Sequence, residues 1–197
     1  MKTCFLALAL VLICTCFVVA TDSPFLVMPE TWKPHVITDN HGCMNITGDF
    51  KLLGENAPES PNLFLERFPF SFDTMIGGDL PVAIRKQVTH VHIDQYDCSV
   101  LTFSYFINNH HIFTRILNNS DKNTLSCNKA SLIIFEKPPE SCSEGGCRMM
   151  TRVNNLYLSE DGSLILNSVY VGVDSFFYFV RKPFRKEYLV RFKRVKP

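Results

Sequence analysis

The residues best placed to do chemistry are His90-Val-His92-Ile-Asp94. On an extended strand, side chains two apart share a face, so His90, His92 and Asp94 project together while Val91 and Ile93 point the other way. Two neutral imidazoles and a carboxylate suit zinc or copper, with a fourth position left for water, and that set would belong to a metal-dependent enzyme. The same pattern is also the ordinary solvated face of a half-buried strand, and no fourth ligand stands at a telling distance. No cofactor is therefore expected. His110 and His111 follow the turn signal Asn108-Asn109, and as strand neighbours they would face opposite ways instead of chelating together.

Other catalytic patterns are missing from the sequence. It has no Gly-x-Ser-x-Gly elbow, no Gly-rich phosphate loop and no CxxC pair. Glu160-Asp161 coincides with a turn, where acids occur for backbone reasons. The expectation is a non-enzymatic protein.

Cysteine chemistry depends on compartment, and the first twenty residues speak to that. Lys2 supplies a positive start, Cys4 to Phe17 an apolar stretch, and Val18-Val19-Ala20 a small-residue cleavage pattern, so residues 1–20 read as a secretory signal peptide and the protein as secreted. Polar residues begin at Thr21-Asp22, too early for a transmembrane anchor. Cleavage would remove Cys4, Cys14 and Cys16 and leave Cys43, Cys98, Cys127, Cys142 and Cys147. Five is odd: in an oxidising compartment two bridges form and one thiol remains, buried or open to an intermolecular disulfide. Cys142–Cys147 would staple a loop, and Cys43–Cys127 would close most of the domain, with Cys98–Cys127 the rival pairing. A bridge closing so long a loop stabilises by about 4 kcal/mol. Asn45-Ile-Thr47 and Asn118-Asn-Ser120 are acceptor sequons, Asn118 lying in an expected turn.

Loss of Lys2 brings the net charge from +1 to zero, which gives no case for a nucleic-acid partner. The neutrality hides polarity. From Arg181 to Pro197 there are eight Lys and Arg against one acid, Glu187. Arg191, Lys193 and Arg194 could thus form a basic surface for an extracellular macromolecule, or could simply guard an edge strand against aggregation.

The elements that must position these residues are strands. Seventeen Phe sit mostly in short runs bounded by Gly, Asn, Asp or Pro, and no segment keeps a 3.6-residue period. Expected strands are Asn45–Leu53, Val82–Gln87, Thr89–Ile93, Ser99–Ile107, His111–Leu117, Ser131–Glu136, Arg148–Val153, Asn155–Leu158, Ser163–Val171, Ser175–Arg181 and Lys186–Val195, with one helical turn near Asn62–Phe68. Asp161-Gly162 is the strongest hairpin signal, since both residues tolerate positive φ; Asn108-Asn109 is a weaker one. Residues 21–42, rich in proline, read as an extended arm pinned by Trp32, and residues 43–197 as one all-β domain: an antiparallel barrel or a twisted sandwich with little helix. Ser175-Phe-Phe-Tyr-Phe-Val180 wants burial on both faces, as a central strand or the wall of an apolar pocket.

Cys43-Met-Asn-Ile-Thr-Gly-Asp-Phe50 with Gly54-Glu55, then Asp97-Cys-Ser-Val-Leu, Cys127, Asp161-Gly-Ser-Leu-Ile and Tyr188-Leu-Val-Arg-Phe-Lys-Arg194, resembles a group of small exported bacterial β-proteins and lipoproteins without established activity. Ile46-Thr-Gly48-Asp-Phe50 and Asp94-Gln-Tyr96-Asp97 are similar to lipocalin signatures, although Phe50 stands where lipocalins have Trp. That second resemblance implies a barrel around a small apolar ligand. Two functions are therefore expected: a carrier of such a ligand, or an extracellular interaction module using the basic C-terminal strand or the Cys142–Cys147 loop.

Overall fold

The computed structural model describes residues 28–35, 42–57, 71–76, 78, 80–119, 123–136, 141–143, 146–176 and 180–195. The signal segment, most of the arm and the helical turn expected near residues 62–68 lie outside them. The described chain is mostly strand, in two antiparallel sheets. The first orders β1 (Gly48–Lys51), β3 (His90–Gln95), β4 (Val100–Ile107) and β5 (His110–Asn118). The second orders β2 (Glu55–Asn56), β11 (Val180–Phe192), β10 (Leu164–Phe176), β9 (Gly146–Leu158), β7 (Leu132–Glu136) and β6 (Asn123–Cys127), with β8 (Ser141–Ser143) also on β9. Of the two expected architectures the structure has the sandwich, and the sheets do not close into a barrel. They touch along one margin, where Lys51 N donates to Lys193 O at 2.9 Å and Val195 N to Asp49 O at 2.8 Å.

Alternation makes the core. In β3, Val91 and Ile93 are buried while His90 and His92 are half-buried; in β4, Leu101, Phe103 and Tyr105 go in. Leu156, Leu164, Leu166, Val190 and Phe192 face them from the second sheet. A helical turn at Phe72–Met75 enters between the layers, its Phe72 ring 5.5 Å from Phe103 and 5.3 Å from Phe192. Burying such rings provides most of the drive for closing the two layers. Trp32, on a 3-10 turn at Glu30–Trp32, is buried as expected, and the arm is tied down by His35 N donating to Leu158 O at 2.7 Å.

Three expectations about local structure change. Val82–Gln87 is not a strand; Val82–Arg85 is a helical turn after Pro81, with its side chains exposed or half-buried. Arg148–Val153 and Asn155–Leu158 are one uninterrupted strand, β9. Ser175–Arg181 is not a central strand: β10 ends at Phe176 and β11 begins at Val180, and those two residues are register partners, so the chain reverses between them. Residues 177–179 are outside the described set. The hairpin signals also trade places. Asn108 and Asn109 both adopt positive φ (47° and 68°), as a primed two-residue turn requires, whereas at Asp161-Gly162 only Gly162 does (75°).

Candidate functional site

The histidine face forms as expected and is absorbed by its neighbours. Register sets His92 opposite Asp49, and their side chains meet at 2.9 Å. His90 lies opposite Phe106 and stacks on it at 4.9 Å, with Thr89 Oγ1 3.1 Å from its Nδ1; Asp94 faces Thr102 and is exposed. These are ordinary cross-strand pairs. Among the described residues, His90, His92 and Asp94 do not bring their donor atoms together as metal ligands. His111 is bound to Thr114, Nε2 to Oγ1 at 2.6 Å, and His110 is exposed.

The expected basic triad is spoken for as well. Arg191 pairs with Asp161 and lies over the Trp32 ring at 5.9 Å; Lys193 meets Glu55 at 2.6 Å; Arg194 donates to Thr47 O at 3.2 Å and sits over Phe50 at 5.9 Å. These three cations tie the end of β11 to the arm, β1, β2 and the β9–β10 turn. Lys193 and Arg194 are nonetheless exposed.

The same strand carries a second group of cations, which the sequence reading counted in the basic C-terminal segment without singling them out as the surface. β9, β10 and β11 are each thirteen residues long and pair along their whole length, but β7 covers only Arg152–Leu156 of β9 and β2 only Val190–Arg191 of β11. From Gly146 to Val153, from Val169 to Ser175 and from Arg181 to Tyr188 no residue is buried. The distal halves form a ribbon of three long strands, with β8 on its β9 edge at the end, extending roughly 25 Å at about 3.3 Å per residue. In antiparallel register, opposite residues share a face. One face carries Arg148, Asp174 and Lys182 in one row, Met150, Gly172 and Phe184 in the next, then Arg152, Tyr170 and Lys186.

Local contacts rigidify that face. Arg148 grips Asp174 with two hydrogen bonds, 2.6 and 3.1 Å, and lies 5.4 Å from the Phe184 ring. The Arg148 hydrogen bond holds the Asp174 carboxyl below the usual carboxylate range against slight desolvation, with the charges of Arg148, Lys186 and Lys182 adding to it. Arg152, at the ribbon's base, lies 4.9 Å from the Tyr170 ring and reaches inward to Glu136 at 3.2 Å. Gly172 lets Phe184 cross: a Cβ there would stand 2.3 Å from Met149 O and 2.9 Å from Phe184 Cζ. The opposite face holds Met149, Val171, Val173, Arg181, Pro183 and Arg185, with Arg185 3.6 Å from Glu187. Among its described residues the distal ribbon has Arg148, Arg152, Arg181, Lys182, Arg185 and Lys186 against Asp174 and Glu187.

At the ribbon's end, Cys142 and Cys147 stand directly opposite each other across β8 and β9, Cα to Cα 4.1 Å, with their sulfurs at bonding distance. Cys43 and Cys127, the other expected pair, also meet, their Cα atoms 5.4 Å apart. Cys98, expected to be left over, is there too. All three sulfurs are mutual neighbours. Of the sequon residues, Asn118 is exposed at the end of β5, while Asn45 is half-buried and its Oδ1 accepts from Thr47 N at 2.9 Å. No helix among the described residues is long and apolar enough to cross a membrane.

Comparison with known families, with curated proteins and with solved structures finds no match. The functional reading therefore rests on the geometry of this chain.

Proposed function

We propose that the chain is a secreted, non-enzymatic binding module whose distal β9–β11 ribbon takes a polyanionic polysaccharide. One observation carries this reading: a ribbon whose described residues include no buried one on either face bears six cations and two acids. A folded chain gains nothing in core stability from extending three strands beyond their packing layer. What the extension supplies is a long surface presenting cations and aromatic rings, and that suits a flexible anionic chain lying across it. The carrier reading has less support, because Phe50, Phe72, Phe103 and Phe192 occupy the space between the sheets where an apolar ligand would sit.

The test is retention of the secreted protein on immobilised heparin as a function of salt. Neutralising Arg181, Lys182 and Lys186 to Gln removes roughly 0.2–1 kcal/mol per exposed cation. Summed, this corresponds to roughly 3- to 100-fold weaker binding at low salt. Lys193→Gln, whose cation is already taken by Glu55, leaves retention unchanged. Equal retention of the triple variant and the parent would sink the proposal. So would binding to phosphatidylserine vesicles in the absence of binding to heparin.

A further inference from the structure

The three cysteines at the mouth of the sandwich hold more chemistry than one structural bridge. Each is placed by its own backbone device. Cys43 precedes β1, where the side chain of Gln95 acts as a second strand: its Nε2 donates to Met44 O and its Oε1 accepts from Ile46 N, both at 3.0 Å. Met44 N in turn donates to Asn128 O at 3.0 Å, beside Cys127. Cys98 sits in the turn between β3 and β4, where Asp97 Oδ1 accepts from Ser99 N (2.6 Å), Ser99 Oγ (2.7 Å) and Val100 N (3.0 Å). Cys127 ends β6, and the following turn is fixed by Asn128 Oδ1, which accepts from Ala130 N and Ser131 N at 2.8 Å each.

The result is a triangle of Cα atoms: Cys43 to Cys127 5.4 Å, Cys98 to Cys127 5.7 Å, Cys43 to Cys98 6.7 Å. All three edges lie within the span that a disulfide bridges, yet a sulfur bonds to only one other. Three sulfurs therefore hold at most one bond among them. The two edges closest to the usual disulfide span, 5.4 and 5.7 Å, both meet at Cys127, whereas Cys43 to Cys98 lies at its upper limit, so Cys127 is the partner the other two share. Accessibility differs across the triangle. Cys43 is 2% exposed, whereas Cys98 lines an open groove of ≈ 600 Å³ with Tyr96, Asp97 and Ser99.

We propose that Cys43, Cys98 and Cys127 form one exchangeable disulfide centred on Cys127, with Cys98 as the groove-facing thiol that reacts with a disulfide-bearing partner. When the bond is Cys43–Cys127, the Cys98 thiolate attacks the Cys127 sulfur. The Cys98–Cys127 bond forms, the Cys43–Cys127 bond breaks with its electron pair on the Cys43 sulfur, and that sulfur takes up the proton Cys98 gave up. No oxidant or reductant is consumed. In the first state Cys98 can instead attack a disulfide R–S–S–R in the groove, forming Cys98–S–S–R and releasing RS⁻. In the second state the thiol is on the buried side, and the groove is silent.

The experiment uses the secreted full-length protein, acid-quenched and alkylated, then mapped by mass spectrometry without reduction. The expected result is one alkylated thiol among the three residues, with Cys43–Cys127 and Cys98–Cys127 linked peptides in the same sample. Titration with an aromatic disulfide reagent then releases about one equivalent of chromophore per chain, faster as pH rises toward about 8.5, the ordinary thiol value. Cys98→Ser and Cys43→Ser each collapse the map to one linkage and abolish the release. A single linkage in the parent overturns the proposal, as do three alkylated thiols with one equivalent of zinc, which would make the triangle a metal site. The parent's map decides the matter if either variant fails to fold.

Discussion

Asp73 offers the sharpest test of how the two sheets are held. It is fully buried on the helical turn that carries Phe72, and its carboxylate accepts from Tyr105 Oη at 3.1 Å and from Leu80 N at 3.2 Å, with Arg85 Nη2 at 3.4 Å. Burial, followed by the Asp73 charge and hydrogen bond, pushes the Tyr105 phenol well above its ordinary value, so Tyr105 is a pure donor here. Asp73→Asn keeps an acceptor for Tyr105 but turns a donor toward Leu80 N and the guanidinium. One orphaned buried N–H and a weakened charge contact put its cost at about 2–3 kcal/mol. Asp73→Ala also orphans the phenol, for a total of about 4–5 kcal/mol, within the range found for breaking buried pairs. For a chain of this size that lowers Tm by roughly 8–20 °C. Urea unfolding followed by far-UV circular dichroism measures the change as a shift in midpoint at constant slope. The cycle with Tyr105→Phe separates the hydroxyl: that change costs about 1 kcal/mol in the parent and nothing in Asp73→Ala, where the phenol is already orphaned. A cost for Asp73→Ala below 1 kcal/mol, or strict additivity with Tyr105→Phe, would refute the hub.

Three further outcomes follow from the same contacts. Gly172→Val forces the Met149 carbonyl and the Phe184 ring apart, so hydrogen exchange should speed up within residues 146–151 and 180–187 while β3 and β4 keep their protection; uniform acceleration would contradict a ribbon separable from the core. Partial burial pushes the Asp161 carboxyl up, but hydrogen bonds from the Ser159 hydroxyl, the Ser163 amide and hydroxyl and Arg191 outweigh it and hold it well below the carboxylate range. A depressed folded-state value stabilises above the unfolded value of about 3.9 and is lost as pH falls below it, so Asp161→Asn should be less stable at neutral pH and flatter between pH 4 and 2 than the parent; parallel curves count against it. Trp32→Ala removes a buried ring and should cost about 3–5 kcal/mol if the arm is integral, a figure that calorimetry on the secreted protein can check.

Much of the architecture was legible because β-structure writes itself in alternation. His90 to Asp94 showed which side chains share a face, and that held; what the pattern could not show was the partner strand, and it is Asp49 and Phe106 that absorb the two imidazoles. The turn signals misled for a related reason. Asn108-Asn109 and Asp161-Gly162 have similar local preferences, but at the second the hydrogen bonds of Ser159 and Ser163 to Asp161 select a longer connection in which Gly162 alone is left-handed. Val82–Gln87 reads as a strand by β-branched content, yet Pro81 starts a helical turn whose hydrogen bonds close locally, with Arg85 N donating to Pro81 O at 2.9 Å. Spacing offered Cys98–Cys127 only as a rival to Cys43–Cys127 and could not show that all three meet, since they do so only through the pairing of distant segments.

β11 shows most directly why charge in a sequence does not announce its role. Its distal half, Arg181-Lys-Pro-Phe-Arg-Lys186, sets cations on both faces and its proximal half sets them on one, but residue type alone does not say whether Arg191 and Lys193 or Lys182 and Lys186 find partners in the fold. The difference is in what lies over them. At the proximal end the arm, β1, β2 and the β9–β10 turn bring Trp32, Phe50, Glu55 and Asp161 within reach, so each cation has a partner in the fold. At the distal end the covering layer has stopped, because β7 is five residues long where β9 to β11 are thirteen, and among the described ribbon residues two acids, Asp174 and Glu187, stand beside six cations. The basic surplus is thus a consequence of a length mismatch between strands. That is why a truncation that removes the distal ribbon and rejoins β9, β10 and β11 by short turns near Val153, Val169 and Glu187 should keep the sandwich folded and abolish retention on heparin.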